Sequence, residues 1–120
     1  MRRRVSSLAL AALVIAAGIS SAQTARTGRL MREKLLHSQR ILAALTTGDN
    51  ALLQRETQSL TQITQNPLWT DLITSELRPY TSSFQKALAE LSAAGDRRDY
   101  DAAAVSYSRL TAACFECTST

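Results

Sequence analysis

Apolar side chains recur at three- and four-residue spacing in four separate stretches of the chain, beginning near residue 26. This spacing matches the turn of an α-helix, and no stretch shows the strict alternation that is typical of a strand. The pattern predicts helices over about 26–47, 50–65, 79–95 and 100–117. The sequence therefore predicts an all-α protein.

Helix-breaking and helix-capping residues separate these predicted helices. Gly48 follows the first helix and Asp49 is placed to cap the second, as glycine and aspartate commonly do at helix ends and starts. Pro67 ends the second helix, because the residue before a proline avoids helical geometry. A crossover with room for a short helix leads to Pro79, which suits a first helical turn, and Gly95 is predicted to end the third helix. Two short connections around a longer one predict an antiparallel up-down-up-down four-helix bundle.

The same periodicity predicts which side chains of the first and last helices face inward. On the first helix the predicted inward face is Met31, Leu35, Ser38, Leu42 and Leu45, with Ile41 beside it. On the last helix the predicted inward face is Ala103, Tyr107, Leu110, Cys114 and Cys117. At 100° per residue the last five positions lie within about 80° of arc, so both cysteines are predicted to point into the core.

The first 22 residues have the layout of a secretory signal peptide. Three arginines follow Met1, an apolar run covers residues 8–19, and Ser20 and Ala22 provide small residues before a cut after Ala22. The apolar run is shorter than the ~20 residues of a membrane-spanning helix, which disfavours an uncleaved anchor. We therefore predict a signal peptide over 1–22, one domain over 23–120, and a periplasmic or otherwise exported location.

Charge and residue composition exclude several classes of function. The chain carries 14 basic and 10 acidic residues, but three of the arginines lie in the predicted signal, so the mature chain has a net charge of about +1. A nearly neutral domain gives no reason to expect a nucleic-acid partner. No paired carboxylates, nucleophile–base pair or phosphate-binding loop stands out, so we expect no enzymatic activity. His37, the single histidine, is predicted to face solvent at the edge of the first helix's apolar stripe.

Cys114 and Cys117 form a Cys-x-x-Cys pair near the end of the last helix. Two sulfurs one helical turn apart are spaced to hold two vinyl groups of a porphyrin as thioethers, but the same pair suits a redox disulfide or half of a zinc site. A zinc site needs two further ligands, and a redox-active pair is favoured at a helix N-terminus, where the dipole lowers a thiol's pKa. A haem role and a structural pair of buried cysteines, reduced or joined, are the two readings that remain.

The whole mature chain resembles the cytochrome c-prime family of four-helix-bundle haem proteins. The residues that carry the resemblance are Met31-x-x-Lys34-Leu35, Ser38-Gln39-x-Ile41-Leu42, the Gly48-Asp49 turn, Trp69 in the crossover, and Tyr107 to Cys117. Each motif is weak alone, and their order and spacing together are fairly specific. The resemblance implies electron transfer or the binding of small gases at a haem iron, a redox partner protein, and a homodimer formed through the first two helices.

The resemblance also implies roles for individual residues. Haem c would be held by Cys114 and Cys117, Met31 would lie on the distal side of the iron as a candidate ligand, and Lys34 would contact a haem propionate. The chain departs from the family at Thr118, which stands where the proximal histidine is expected. Threonine is not an ordinary ligand of haem iron. The alternative function is therefore a haem-free helical bundle with a structural or redox-active Cys114–Cys117 pair.

Overall fold

A computed structural model of the chain describes residues 2–119 and contains five α-helices within that range. They are α1 (Arg2–Thr47), α2 (Asn50–Gln65), α3 (Pro67–Leu72), α4 (Arg78–Asp96) and α5 (Tyr100–Thr118). Residues 2–119 contain no strand. The predicted all-α class is confirmed, and the short α3 lies in the predicted crossover.

The chain divides into two compact units, Met1–Arg32 and Glu33–Thr120. The described part of the first unit is helical, and α1 begins at Arg2 rather than near the predicted residue 26. The preceding segment is rich in alanine and leucine and contains no proline, so nothing in its sequence interrupts a helix. In the described part of the chain, no helix carries an apolar stretch long enough to cross a bilayer. Processing after Ala22 stays a prediction.

Local side-chain chemistry sets the helix boundaries in the second unit. Gly48 adopts a φ of 68°, a left-handed conformation that glycine tolerates best. Asp49 and Asp99 each accept a hydrogen bond from the backbone N–H three residues ahead, which caps α2 and α5. Asn66 ends α2, and its side chain caps α3. These local contacts explain why the predicted ends near 47, 50 and 65 agree with the structure.

Gly95 has a different role from the predicted one. The α4 helix continues through Gly95 to Asp96, and Gly95 is buried. A Cβ at this position would lie 2.6 Å from Gln54 Nε2 and 2.9 Å from Leu53 Cδ2. Glycine is therefore required by the close approach of α2 to α4, and the left-handed residue in the following turn is Arg98, with a φ of 54°.

The core of the second unit is formed by apolar side chains of α1, α2, α4 and α5. Its members are Ile41, Ala44, Leu53, Leu60, Phe84, Ala87, Leu88, Leu91, Ala94, Ala103, Leu110 and Ala113. The α4 helix packs most extensively against α5, and α2 packs against α3 and α4. Alanines on the facing sides of α4 and α5 allow these two helices to approach closely.

The predicted inward face of α1 is confirmed at Ser38, Ile41 and Leu45 and wrong at Leu35 and Leu42, which are exposed. Within the second unit, α1 buries Lys34, Ser38, Ile41 and Ala44, while Leu35 is 57% exposed. At 100° per residue the buried face is rotated by roughly 75° from the predicted one. Apolar residues cover more than half of this helix's circumference, so periodicity alone does not fix its orientation.

Candidate functional site

The two cysteines lie on the last two turns of α5, on the side of the helix that faces the core. Ala103 and Leu110 on this side are fully buried, and Tyr107, Cys114 and Cys117 are half-buried. Cys114 packs directly against the hydrophobic core. Both cysteines are thiols in this structure. A one-turn spacing on a common face therefore presents both sulfurs toward the same region of the second unit.

Lys34 of α1 is buried against two aromatic rings. Lys34 is only 7% exposed. Its Nζ lies 3.7 Å from the ring centroid of Phe84 and 4.9 Å from that of Trp69. Ammonium groups are attracted to the negative face of an aromatic ring. Trp69 of α3 and Phe84 of α4 therefore provide partial compensation for the desolvated charge.

Lys34 and the two thiols influence one another electrostatically. Burial lowers the pKa of Lys34, while negative charge on Cys114 and Cys117 acts in the opposite direction. Burial raises the pKa of the Cys114 thiol, and the Lys34 ammonium partly offsets that rise. We call the Lys34 ammonium, the two thiols and the rings of Trp69 and Phe84 the Lys34 cluster, because the ammonium lies over both rings and is coupled electrostatically to both thiols.

Tyr107 connects α5 to the turn of α1 that carries Lys34. Its hydroxyl donates a hydrogen bond of 3.0 Å to the backbone oxygen of Ser38, and the Ser38 hydroxyl donates to the backbone oxygen of Lys34 at 2.9 Å. Burial is the main cause of a raised pKa at Tyr107. The Tyr107 bond joins α5 to α1, and the Ser38 bond lies within α1, one turn from Lys34.

Thr118 and Met31 are the predicted site residues that lie outside the Lys34 cluster. Thr118 is exposed, and its hydroxyl donates a 2.9 Å hydrogen bond to the backbone oxygen of Phe115 in its own helix. Met31 lies on α1 in the first unit and is 37% exposed. The structure leaves the distal role of Met31 as a prediction.

His37 and Glu56 form a buried contact between α1 and α2 that sequence reasoning missed. His37 is half-buried, contrary to the prediction of a solvent-facing side chain, and its Nδ1 lies 2.5 Å from Glu56 Oε2. Arg40 approaches the other carboxylate oxygen at 3.9 Å. Glu56 follows Leu53 by three residues, so the helical period would have placed it near the inward face if charged residues had been considered there.

Within the described residues, no three or more His, Cys, Asp and Glu side chains are grouped to hold a metal ion. The functional groups of the candidate site are therefore two thiols, one buried ammonium and two aromatic rings. No family model, curated protein or solved structure matches this chain.

Proposed function

We propose that the mature domain, residues 23–120, is an antiparallel up-down-up-down four-helix bundle of the cytochrome c-prime type, exported by a signal peptide over 1–22. Four contacts support a closed ring of α1, α2, α4 and α5. A two-residue turn and the His37–Glu56 pair join α1 to α2, and α2 packs on α4. A short turn and extensive packing join α4 to α5, and Tyr107 returns from α5 to Ser38 on α1.

The proposed function is that of a c-type haem protein for electron transfer or small-gas binding, with Cys114 and Cys117 as the attachment sites. The observation that carries it is the Lys34 cluster, in which a buried cation lies over two buried aromatic rings and is coupled electrostatically to two thiols one turn apart. A porphyrin needs two thiols for its vinyl groups, apolar walls for its faces and a cation for a propionate. The cluster supplies all three kinds of group.

Each residue of the cluster has a distinct proposed task. Cys114 and Cys117 would hold the porphyrin edge through Sγ, Trp69 and Phe84 would exclude water, and Lys34 would neutralise a carboxylate. When bound, the haem would supply an iron that exchanges one electron or takes up a diatomic gas. By the resemblance, Met31 would have the distal role.

Thr118 does not fit the role of proximal ligand. It offers a neutral hydroxyl, which already donates to the backbone of α5, where the family has an imidazole nitrogen. We therefore assign no iron-ligating role to Thr118, and haem would be held by Cys114 and Cys117 alone.

The alternative is a haem-free bundle in which Cys114 and Cys117 are a structural or redox-active pair. Burial raises the pKa of Cys114, which lowers its thiolate fraction at neutral pH and disfavours a fast redox reaction. Of the two haem-free roles, the structural one is favoured, because half-buried thiols pack as small apolar groups.

A visible absorption spectrum separates these two functions. The full chain is expressed in a host that matures c-type cytochromes, and we expect a Soret band that remains with the polypeptide after denaturation. Cys114→Ala with Cys117→Ala should lose the band, while Phe115→Ala, which alters an exposed side chain between them, should keep it. A colourless, folded helical protein would rule out the haem function.

Replacement of Thr118 tests the proximal position. Thr118→His should increase haem incorporation several-fold, because an imidazole adjacent to Cys117 provides the missing ligand. Thr118→Val is the matched control and should leave incorporation unchanged. Equal incorporation in all three proteins would show that Thr118 is not the limiting feature.

We also propose that the protein forms a homodimer through α1 and α2, and that it exchanges electrons with a redox partner protein. The dimer is supported by Leu35 and Leu42, two apolar side chains that are exposed on the face of α1 next to its buried face. Light scattering should show a dimer that dissociates in Leu35→Glu with Leu42→Glu. A monomer in the unmodified chain would contradict this assembly.

A further inference from the structure

A cleft separate from the thiols lies where α2, α3 and α4 meet. Its volume is about 240 Å³, and its walls include Thr64, Trp69, Thr70, Arg78, Thr81 and Gln85. Pockets for drug-sized ligands typically exceed ~300 Å³. The size of this cleft therefore suits a small molecule or ion.

Trp69 and Thr81, which line the cleft, each carry a buried polar atom that has no hydrogen-bond partner among the described residues. The atoms are Nε1 of Trp69, in a side chain that is 1% exposed, and Oγ1 of Thr81. A buried indole N–H without a partner costs free energy, and it can only donate. The missing partner must therefore be a hydrogen-bond acceptor.

The charge around the cleft favours an anion as that acceptor. Arg78 is the ionisable side chain in its lining, and no carboxylate lines it. The same residue begins α4, where its backbone N–H donates to the Thr74 oxygen and Pro79 has no N–H, so the helix start adds little. The guanidinium and the orphan indole N–H both favour an acceptor that carries negative charge.

We propose that this cleft binds a small molecule through anionic oxygen atoms, either a short carboxylate or an inorganic oxyanion. One oxygen accepts from Trp69 Nε1, a second accepts from the Thr81 hydroxyl, and the Arg78 guanidinium neutralises the charge. The cleft is lined by Trp69, Thr81 and Arg78 and not by the thiols.

The single tryptophan makes the test specific, because Trp69 alone gives an indole N–H signal. Proton–nitrogen correlation spectra of the full, isotope-labelled chain are recorded during titrations with sodium acetate and with sodium phosphate. We expect the indole signal to shift and saturate with at least one of the two, which also identifies the preferred source of anionic oxygen. Sodium chloride at matched ionic strength should produce no saturating shift.

Three variants locate the contacts. Thr81→Val, which keeps the side-chain shape, and Arg78→Gln should each weaken binding about tenfold, as expected for a lost hydrogen bond to a charged group. Ser82→Ala and Arg97→Gln, at exposed positions of α4 and its end outside the lining, are the controls and should bind normally.

An indole signal that does not move with acetate or phosphate would overturn the proposal. It would also be overturned by saturable binding that Thr81→Val and Arg78→Gln leave unchanged. Circular dichroism of each variant verifies that the helices are intact, and the Trp69→Phe protein, which lacks the N–H, should lose binding by calorimetry.

Discussion

Two charged side chains of opposite sign are buried to the same extent in the second unit, and their surroundings differ. Glu56 on α2 and Lys34 on α1 are each 7% exposed. The Glu56 carboxylate meets His37 at 2.5 Å and Arg40 at 3.9 Å. Among the described residues, the Lys34 ammonium has no carboxylate in salt-bridge range and lies over the rings of Phe84 and Trp69.

Glu56 is a buried charge that stabilises the fold, whereas Lys34 is a buried charge whose desolvation cost is only partly offset. A buried carboxylate with two basic partners stabilises the contact between two helices, and removing its charge leaves those partners uncompensated. A buried ammonium against aromatic rings recovers a smaller part of its desolvation cost. Groups whose pKa is shifted by burial are concentrated at functional sites, and a lowered pKa at Lys34 is consistent with its proposed propionate contact.

The largest expected effect comes from removing the charge of Glu56. Glu56→Gln should lower the free energy of unfolding by about 2 kcal/mol, because it removes a largely buried hydrogen bond to a charged group. The matched control is Glu90→Gln, since Glu90 pairs with Arg109 at 3.2 Å on the exposed surface. The control should change stability by less than about 0.5 kcal/mol. Urea unfolding followed by circular dichroism measures both, and equal effects would remove the distinction between the two carboxylates.

Lys34 should respond with the opposite sign. Lys34→Met retains the length and apolar character of the side chain and removes the desolvated charge, so the haem-free protein should become more stable by up to about 1 kcal/mol. Lys86→Met, at an exposed position on α4, should be nearly neutral. A loss of more than about 2 kcal/mol in Lys34→Met would mean that the cation–π contacts outweigh desolvation.

The pH dependence of stability should sharpen this contrast. Burial lowers the pKa of Lys34 from 10.5, so between its folded pKa and 10.5 the unfolded state binds more protons. Stability from this group therefore rises with pH in that window. The advantage of Lys34→Met over the unmodified protein should shrink as the pH approaches 10.5. An advantage that is constant or grows with pH would contradict a lowered pKa.

Thiol reactivity should show the smallest effect. Burial raises the pKa of Cys114 above 9.0, and the Lys34 ammonium opposes this rise. In a Cys117→Ser background, Lys34→Met should therefore slow the reaction of Cys114 with a disulfide reagent at pH 8 by about threefold, because the thiolate fraction falls. Lys86→Met is again the control. An unchanged or faster rate would show that Lys34 does not act on Cys114.

Sequence reasoning succeeded where neighbouring residues decide the structure. Asp49 and Asp99 cap helices through N–H groups three residues away, and Gly48 adopts a conformation set by its own missing side chain. It failed at Gly95, whose requirement comes from Leu53 and Gln54 on another helix. The one-turn spacing of the cysteines was readable from the chain, whereas the aromatic rings around Lys34 were not.

The sequence by itself determined the helical class, most helix ends in the second unit and the common face of Cys114 and Cys117, because each depends on interactions within about one turn of the chain. The tertiary structure alone decided which face of α1 is buried. It thereby placed Lys34 over Phe84 and Trp69 rather than in solvent. The physical reason is that burial depends on side chains from helices distant in sequence, and an apolar pattern wider than one face is compatible with several orientations.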